Sequence, residues 1–138
     1  MSFRDISRIA GSAMTAQTIR LNTIASNLAN AESASGSEAV AYRARKPVFA
    51  AMAQGGADGW QGATVAVLDV VKSPAPLRKL HEPGNPLADA DGNVFYPNVN
   101  PVEEMTDMMA ASRAFQTNVE VMTRVRSMQG DLLKLGEG

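Results

Sequence analysis

The side chains with the greatest potential for chemistry lie in the middle of the chain. His81 is the only histidine among the 138 residues, and Glu82 follows it directly, so the pair could relay a proton. A metal site would need more nitrogen or sulfur ligands, and the chain has no cysteine. No nucleophile elbow and no His-x-x-x-His pair accompanies His81. We therefore interpret His81 as an exposed loop residue, and we expect no catalysis, cofactor, metal or small-molecule substrate.

Two glycine-containing segments resemble ligand-binding loops but do not have the required spacing. "DADGN" (89–93) resembles the start of a calcium loop, yet the twelfth position counted from Asp89 is Asn100, where a glutamate is needed. "GGADGWQG" (55–62) lacks the Lys-Ser/Thr pair and the helix that follow a phosphate-binding loop. Because Asp-Gly is a strong turn pair, residues 55–60 and 89–93 are predicted turns.

Two amides raise a different question, because they lie beside the apolar stripe of a predicted helix. "SNLANAES" (26–33) places Asn27 directly before Leu28 and Asn30 two positions after it. Asparagine is a poor interior helix former, since its side chain competes for backbone hydrogen bonds. Such amides can bond the backbone of a neighbouring helix, cap the end of their own helix, or simply be solvated.

The composition excludes several classes of function. Thirteen basic and 14 acidic residues give a net charge of −1, so the chain has no basic surface for nucleic acid, and the cluster around Arg43, Arg45 and Lys46 is interpreted as a solvated strand face. No run approaches the roughly 18 apolar residues of a membrane span, and the N-terminus has no secretory signal. A hydrophobic fraction of 45% with only 5% aromatic residues favours helix–helix packing over a deep core.

The elements that must position these residues fall into three parts. Apolar residues recur at helical spacing over 3–30, but the many Ser, Thr and Asn residues make this helix marginal without partners. Segments 40–49 and 64–71 are predicted strands, and 72–87, with four prolines, is expected to run extended across the surface.

A second long helix is predicted over 100–136. Asn100 can cap it, Pro101 suits its first turn, and Gly136 closes it. Its apolar residues cover too wide an arc for a single partner helix, which predicts several neighbours. We expect an α+β fold: an antiparallel coiled-coil hairpin of two terminal helices, with a small β-rich middle domain. The predicted domains are 1–33, 34–98 and 99–138, the first pairing with the last.

Several of these segments resemble one family. "YPNVNPVEEMTDMMAASRAFQTNVEVM" (96–122) resembles the C-terminal signature of the flagellar basal-body rod proteins of the proximal rod. "LNTIASNLANAES" (21–33) resembles the N-terminal signature shared by rod, hook and hook-associated axial proteins. "YRARKPVF" (42–49) and "HEPGNPLADADGNVFYPNVN" (81–100) are similar to the middle of the same proteins.

The resemblance implies a structural role in bacterial motility. Copies of the chain and other rod proteins would stack helically into a hollow, torque-transmitting shaft that crosses the periplasm. The chain would leave the cell through the flagellar type III export apparatus, in agreement with the missing signal peptide. The alternative is a secreted helical-hairpin adaptor or chaperone of exported subunits, which should be stable as a soluble monomer.

The same resemblance places the subunit interface on the two terminal helices. The predicted interface residues are Leu21, Ile24, Asn27, Leu28, Asn30, Met105, Met109, Phe115, Val119, Met122 and Leu132.

Overall fold

The computed structural model describes residues 2–56 and 59–136. It contains two helices, α1 (Phe3–Ala29) and α2 (Pro101–Gly136), with two antiparallel sheets between them in the chain. Strands β1 (Arg45–Gly56) and β2 (Gly59–Lys72) form one sheet, and β3 (Arg78–His81) and β4 (Asn93–Tyr96) form the other. The expected α+β class is confirmed.

Helix α1 is held at both ends by local side-chain bonds. The Ser2 hydroxyl accepts a hydrogen bond from the Asp5 amide at 3.2 Å, and the Asp5 carboxylate accepts one from the Ser2 amide at 2.9 Å. This capping box satisfies amides that have no partner within the helix. At the other end, Asn30 donates from its side chain to the Ser26 carbonyl at 2.8 Å. Asn30 thus caps the exit of its own helix, one of the roles considered from the sequence.

The β1–β2 hairpin is long and packs against α1. Its register runs from the Arg45–Lys72 pair to the Gly56–Gly59 pair, with irregularities after Val48 and Ala53. Of the turn predicted at 55–60, residues 57 and 58 lie outside the described residues. Ser12 of α1 fixes the hairpin, because its hydroxyl accepts a hydrogen bond from the Val65 amide at 3.1 Å.

The predicted strand at 64–71 lies inside β2, but the one predicted at 40–49 begins only at Arg45. Residues 42–44 make other bonds. The Tyr42 hydroxyl donates to Asn27, and Arg43 donates to the Ala75 carbonyl. The Ala44 amide donates to the side chain of Asn98 at 2.7 Å. With these long-range contacts, residues 42–44 do not continue β1 in its pairing with β2.

The second sheet was not predicted. The segment 72–87 is not helical, as expected, but it contains β3, which is confined to four residues between Pro76 and Pro83. Proline cannot donate a ladder hydrogen bond, which limits the length of this strand. Its partner β4 supplies Val94, a fully buried residue of the core.

The "DADGN" segment forms the predicted turn before β4. The Asp89 carboxylate accepts hydrogen bonds from the amides of Asp91 at 3.0 Å and Asn93 at 2.8 Å. Gly92 adopts a φ of 77°, which favours glycine. Here the Cβ of another residue would also lie 2.9 Å from the His81 ring.

Acid should loosen this turn. The backbone hydrogen bond from Asn93 holds the pKa of Asp89 below its ordinary value. Because the pKa of Asp89 is lowered by folding, the ionised carboxylate stabilises the turn at any pH above the unfolded-state pKa, which is near 4. This stabilisation is lost as the pH falls through the pKa of the folded state. We expect the Asn93 amide resonance to shift only below about pH 4 in an NMR titration. In Asp89→Asn this acid transition should vanish; a transition at the ordinary pKa would contradict the argument.

The two helices pack antiparallel. Arg20 of α1 pairs with Asp107 of α2 at 3.2 Å. Ile24, which follows Arg20 in α1, lines a cleft together with Glu104, which precedes Asp107 in α2. Moving forward along α1 therefore means moving backward along α2. Asn100 begins α2 as predicted, because its side chain accepts a hydrogen bond from the Val102 amide at 3.1 Å. Both helices bury small residues, which allows elements to pack closely against them: Ala10 and Ala16 on α1, and Ala111 on α2.

Helix α2 extends beyond its partner. With 36 residues against 27 for α1, it is about 54 Å long and α1 about 40 Å. Val125 is its last buried residue, and from 126 to 136 every residue except Gly130 is exposed. We call residues 126–136 the overhang.

Candidate functional site: the helix–hairpin junction and the exposed face of α2

Asn27 joins α1 to the hairpin. Its side-chain nitrogen donates to the Arg45 carbonyl at 2.9 Å, and its side-chain oxygen accepts from the Arg45 amide at 2.9 Å. The Tyr42 hydroxyl donates to the same oxygen at 2.9 Å, and also lies 3.1 Å from the Ser26 hydroxyl. The amide therefore satisfies both backbone groups of the first residue of β1, as a neighbouring strand would.

This geometry changes the interpretation of Asn27. Asn27 is 1% exposed, and its side chain bonds to Arg45 and Tyr42. The interface between subunits predicted for Asn27 is not tested by a single chain, but these bonds within the chain leave almost none of it at the surface. A buried amide with satisfied hydrogen bonds instead fixes where the hairpin leaves the helix.

A second amide ties together the loops on the other side of the hairpin. Asn98 accepts from the Ala44 amide and donates from its side chain to the Ala75 carbonyl at 2.9 Å. Arg43 reaches the same carbonyl at 2.8 Å and pairs with Glu38 at 2.9 Å. The Asn27 and Asn98 bonds together fix residues 42–45, which lead into β1.

A cleft of about 290 Å³ lies where α1, β1 and α2 meet. Ile24, Pro47 and Phe49 form its apolar wall, and Glu104 and Asp107 contribute carboxylates. Glu104 is only 6% exposed. Its burial is unusual for a carboxylate, and sequence analysis did not identify it.

The solvent-facing side of α2 carries large apolar residues near both ends. At its start, Val102 is 73% exposed and Met109 is 69% exposed, with Met105 between them. In the overhang, Leu135 is 79% exposed, and Met128, Leu132 and Leu133 are also exposed. Exposed apolar side chains in contiguous stripes mark surfaces that another protein covers.

The eleven predicted interface residues differ in their exposure. Ile24 and Asn27 are buried within the single chain, so little of either is left at its surface, and their place in an interface stays a prediction. The exposed members are Met105, Met109, Val119 and Leu132. The half-buried members are Leu21, Leu28, Asn30, Phe115 and Met122. The surface available to a partner is therefore mainly that of α2.

Sequence reasoning missed Tyr42, Asn98 and Glu104. All three lie in or next to segments that the sequence singled out, since Tyr42 begins "YRARKPVF" and Asn98 lies within "YPNVN". Their importance depends on partners far away in the chain, such as Asn27 for Tyr42 and Ala44 for Asn98. No local pattern identifies such a partner.

The middle of the chain offers little chemistry. His81 is exposed, as predicted, although it is the last residue of β3 and not part of a loop. Across residues 2–56 and 59–136, no group of three or more His, Cys, Asp or Glu side chains could hold a metal ion. Neither α1 nor α2 is long and apolar enough to cross a membrane.

Comparison with known proteins gives this arrangement a family. Residues 8–34 match the model of the flagella basal body rod proteins, and residues 90–135 match that of the flagellar basal body rod FlgEFG protein C-terminal region. These two matches cover α1 after its first turn, and β4 with nearly all of α2. The family signatures thus coincide with the helix pair and its exposed face.

Full-length relatives agree. The chain is 50% identical over 137 residues to the flagellar basal-body rod protein FlgC of Escherichia coli O157:H7, covering 99% of this chain and 100% of the relative. It is 48% identical to FlgC of Salmonella typhimurium with the same coverage. Identity is 31% to FlgC of Borreliella burgdorferi, over 94% of this chain and 95% of the relative. The chain belongs to the FlgC family of flagellar basal-body rod proteins, the structural components of the rod.

Proposed function

We propose that the chain is a structural subunit that assembles helically, with copies of itself and with other rod proteins, into the hollow shaft of the flagellar basal body. The observation that carries the proposal is the pair of exposed apolar clusters on α2, Val102, Met105 and Met109 near its start and Met128, Leu132, Leu133 and Leu135 in the overhang. A soluble monomer has no use for such a surface, whereas a subunit surrounded by neighbours buries it. A helical assembly also needs different patches to meet, as in head-to-tail contacts.

Two further parts of the proposal follow from this role. The chain acts without catalysis, since the names of its relatives describe rod proteins and its single histidine is exposed at the end of β3. It reaches the rod through the flagellar type III export apparatus, as expected for a rod protein whose place of assembly lies outside the cytoplasm. The domains proposed are 1–33 and 99–138 for the helical shaft and 34–98 for the outer, β-rich part.

The test compares the bacterium that carries the gene with a strain from which the gene is deleted, and basal bodies are purified from both. A rod subunit is found in the rod fraction, and its deletion stops assembly of everything distal to it. The adaptor alternative predicts the opposite location: the chain would be recovered as a soluble, stably helical monomer bound to exported subunits. Protein found only in that soluble fraction would refute the proposed function.

His81→Ala should leave motility unchanged. The side chain is exposed at the end of β3, and among residues 2–56 and 59–136 it belongs to no group of three or more side chains that could hold a metal ion. The halo diameter on soft agar, measured with protein levels on a blot, checks this. A non-motile strain with normal protein levels would revive an enzymatic role.

A further inference from the structure

We propose that the base of the β1–β2 hairpin binds an acidic side chain, Asp or Glu, of a neighbouring rod subunit. The site is a pocket of about 350 Å³ between the end of α1, the loop that follows it and the first residue pair of the hairpin. We call it the basal pocket. This inference rests on the proposed function, since only a subunit of an assembly has such a neighbour, and it adds where the neighbour's charge is received.

Two positive charges face each other in the basal pocket. Arg45 is the first residue of β1 and Lys72 is the last residue of β2, and the two are directly paired in the antiparallel register. Side chains that are directly opposite project from the same face of the hairpin, so two like charges at these positions repel each other. Both residues are exposed and line the pocket. A negative charge bound between them would convert this repulsion into attraction.

The chain itself does not neutralise this pair. None of the ion pairs formed among residues 2–56 and 59–136 includes Arg45 or Lys72. The Arg45 guanidinium lies over the Tyr42 ring, 5.5 Å from its centroid, but an aromatic ring carries no net charge. Both positive charges are therefore available to an anion from outside the chain.

The rest of the pocket lining suits a carboxylate. Arg43 contributes a third positive charge, and the described residues that line the pocket include no carboxylate. Ser35 and Asn30 add a hydroxyl group and an amide to the lining. A guanidinium group can donate two parallel hydrogen bonds to the two oxygens of one carboxylate, which is the strongest arrangement for such a pair. The pocket therefore has both the charge and the donors that an aspartate or glutamate side chain requires.

The surroundings of the pocket favour a protein partner over an extended polyanion. Glu32 and Glu38 lie exposed in the adjoining loop and would repel the further charges of a nucleic acid or an anionic membrane. Val40, which lines the same pocket, is 74% exposed. A single charge beside an exposed apolar side chain matches a protein contact, in which apolar residues pack together with a few charged pairs.

Lys72→Gln tests the charge of the pocket. In the isolated full chain, removal of one of two opposed like charges should leave the melting temperature unchanged or raise it. In cells, the amount of the variant in purified basal bodies should fall about tenfold, because a charge pair with the neighbour is lost. Lys72→Arg, which keeps the charge, should incorporate like the parent chain. Lys79→Gln is the matched control, because it neutralises an exposed lysine on β3, outside the pocket.

A photocrosslinker identifies the occupant. A benzoylphenylalanine at position 40 lies in the pocket lining and can be activated in intact basal bodies. We expect the crosslinked peptide to come from a neighbouring subunit and to carry an aspartate or glutamate close to the attachment point. Replacing that acidic residue by lysine should restore the incorporation of Lys72→Glu, since the exchange reverses both charges of the pair.

The outcomes separate this inference from the function on which it rests. If the parent chain is absent from basal bodies, both fail. If it is present, normal incorporation of Lys72→Gln, or an equal loss with Lys79→Gln, overturns the basal pocket alone. A lowered melting temperature of the Lys72→Gln monomer also overturns it, because Lys72 would then stabilise its own chain. The same holds for a crosslinked peptide without an acidic residue, and for a charge exchange that restores nothing.

Discussion

Asn27→Ala is expected to lower the free energy of unfolding of the chain by roughly 2–4 kcal/mol, since each buried backbone group left without a partner costs about 1–3 kcal/mol. The truncation removes the partner of both the amide and the carbonyl of Arg45, as well as the acceptor of the Tyr42 hydroxyl. Chemical denaturation followed by circular dichroism measures the loss. Because the hairpin then has no fixed exit from α1, incorporation into basal bodies should also fall.

Two further variants sharpen this test. Asn27→Asp keeps an acceptor for the Arg45 amide but cannot donate to the Arg45 carbonyl, so it should be at least as destabilising as alanine. Asn22→Ala is the matched control, because Asn22 lies on the exposed side of the same helix. Equal stability of the Asn27 and Asn22 variants would show that the junction does not depend on this amide.

Leu132→Glu is expected to block rod assembly while leaving the monomer unchanged. Leu132 is exposed in the overhang, beyond the last buried residue of α2, so a charge there disturbs nothing within the chain. In the assembled rod the same position would be covered, and burying an unpaired charge costs several kcal/mol. A loss of about 3 kcal/mol corresponds to roughly a 100-fold weaker association, and every subunit repeats it.

The control for this experiment is Ser127→Glu, which adds the same charge to the overhang on a different face of the helix. Thermal unfolding of both purified monomers and counts of basal bodies per cell by electron microscopy are the two measurements. We expect unchanged unfolding for both variants and a loss of basal bodies for Leu132→Glu only. Normal basal bodies in Leu132→Glu would show that the overhang is not a contact surface.

The sequence by itself determined the elements that depend on nearby residues. Both helices follow from apolar spacing, and α2 begins where Asn100 and Pro101 predict it. The Asp-Gly pair at 91–92 likewise predicts its turn, because Gly92 can adopt the required positive φ. The family resemblance was also evident at this level, since the signature segments are continuous stretches of chain.

Only the tertiary structure decided what each buried polar group contacts. The sequence placed Asn27 beside an apolar stripe, but its partner Arg45, the first residue of β1, lies 18 residues away in the chain. The unpredicted β3–β4 pair and the burial of Glu104 arise in the same way. Local propensity reports the backbone preference of a few residues, whereas these features depend on which distant groups share a small buried volume.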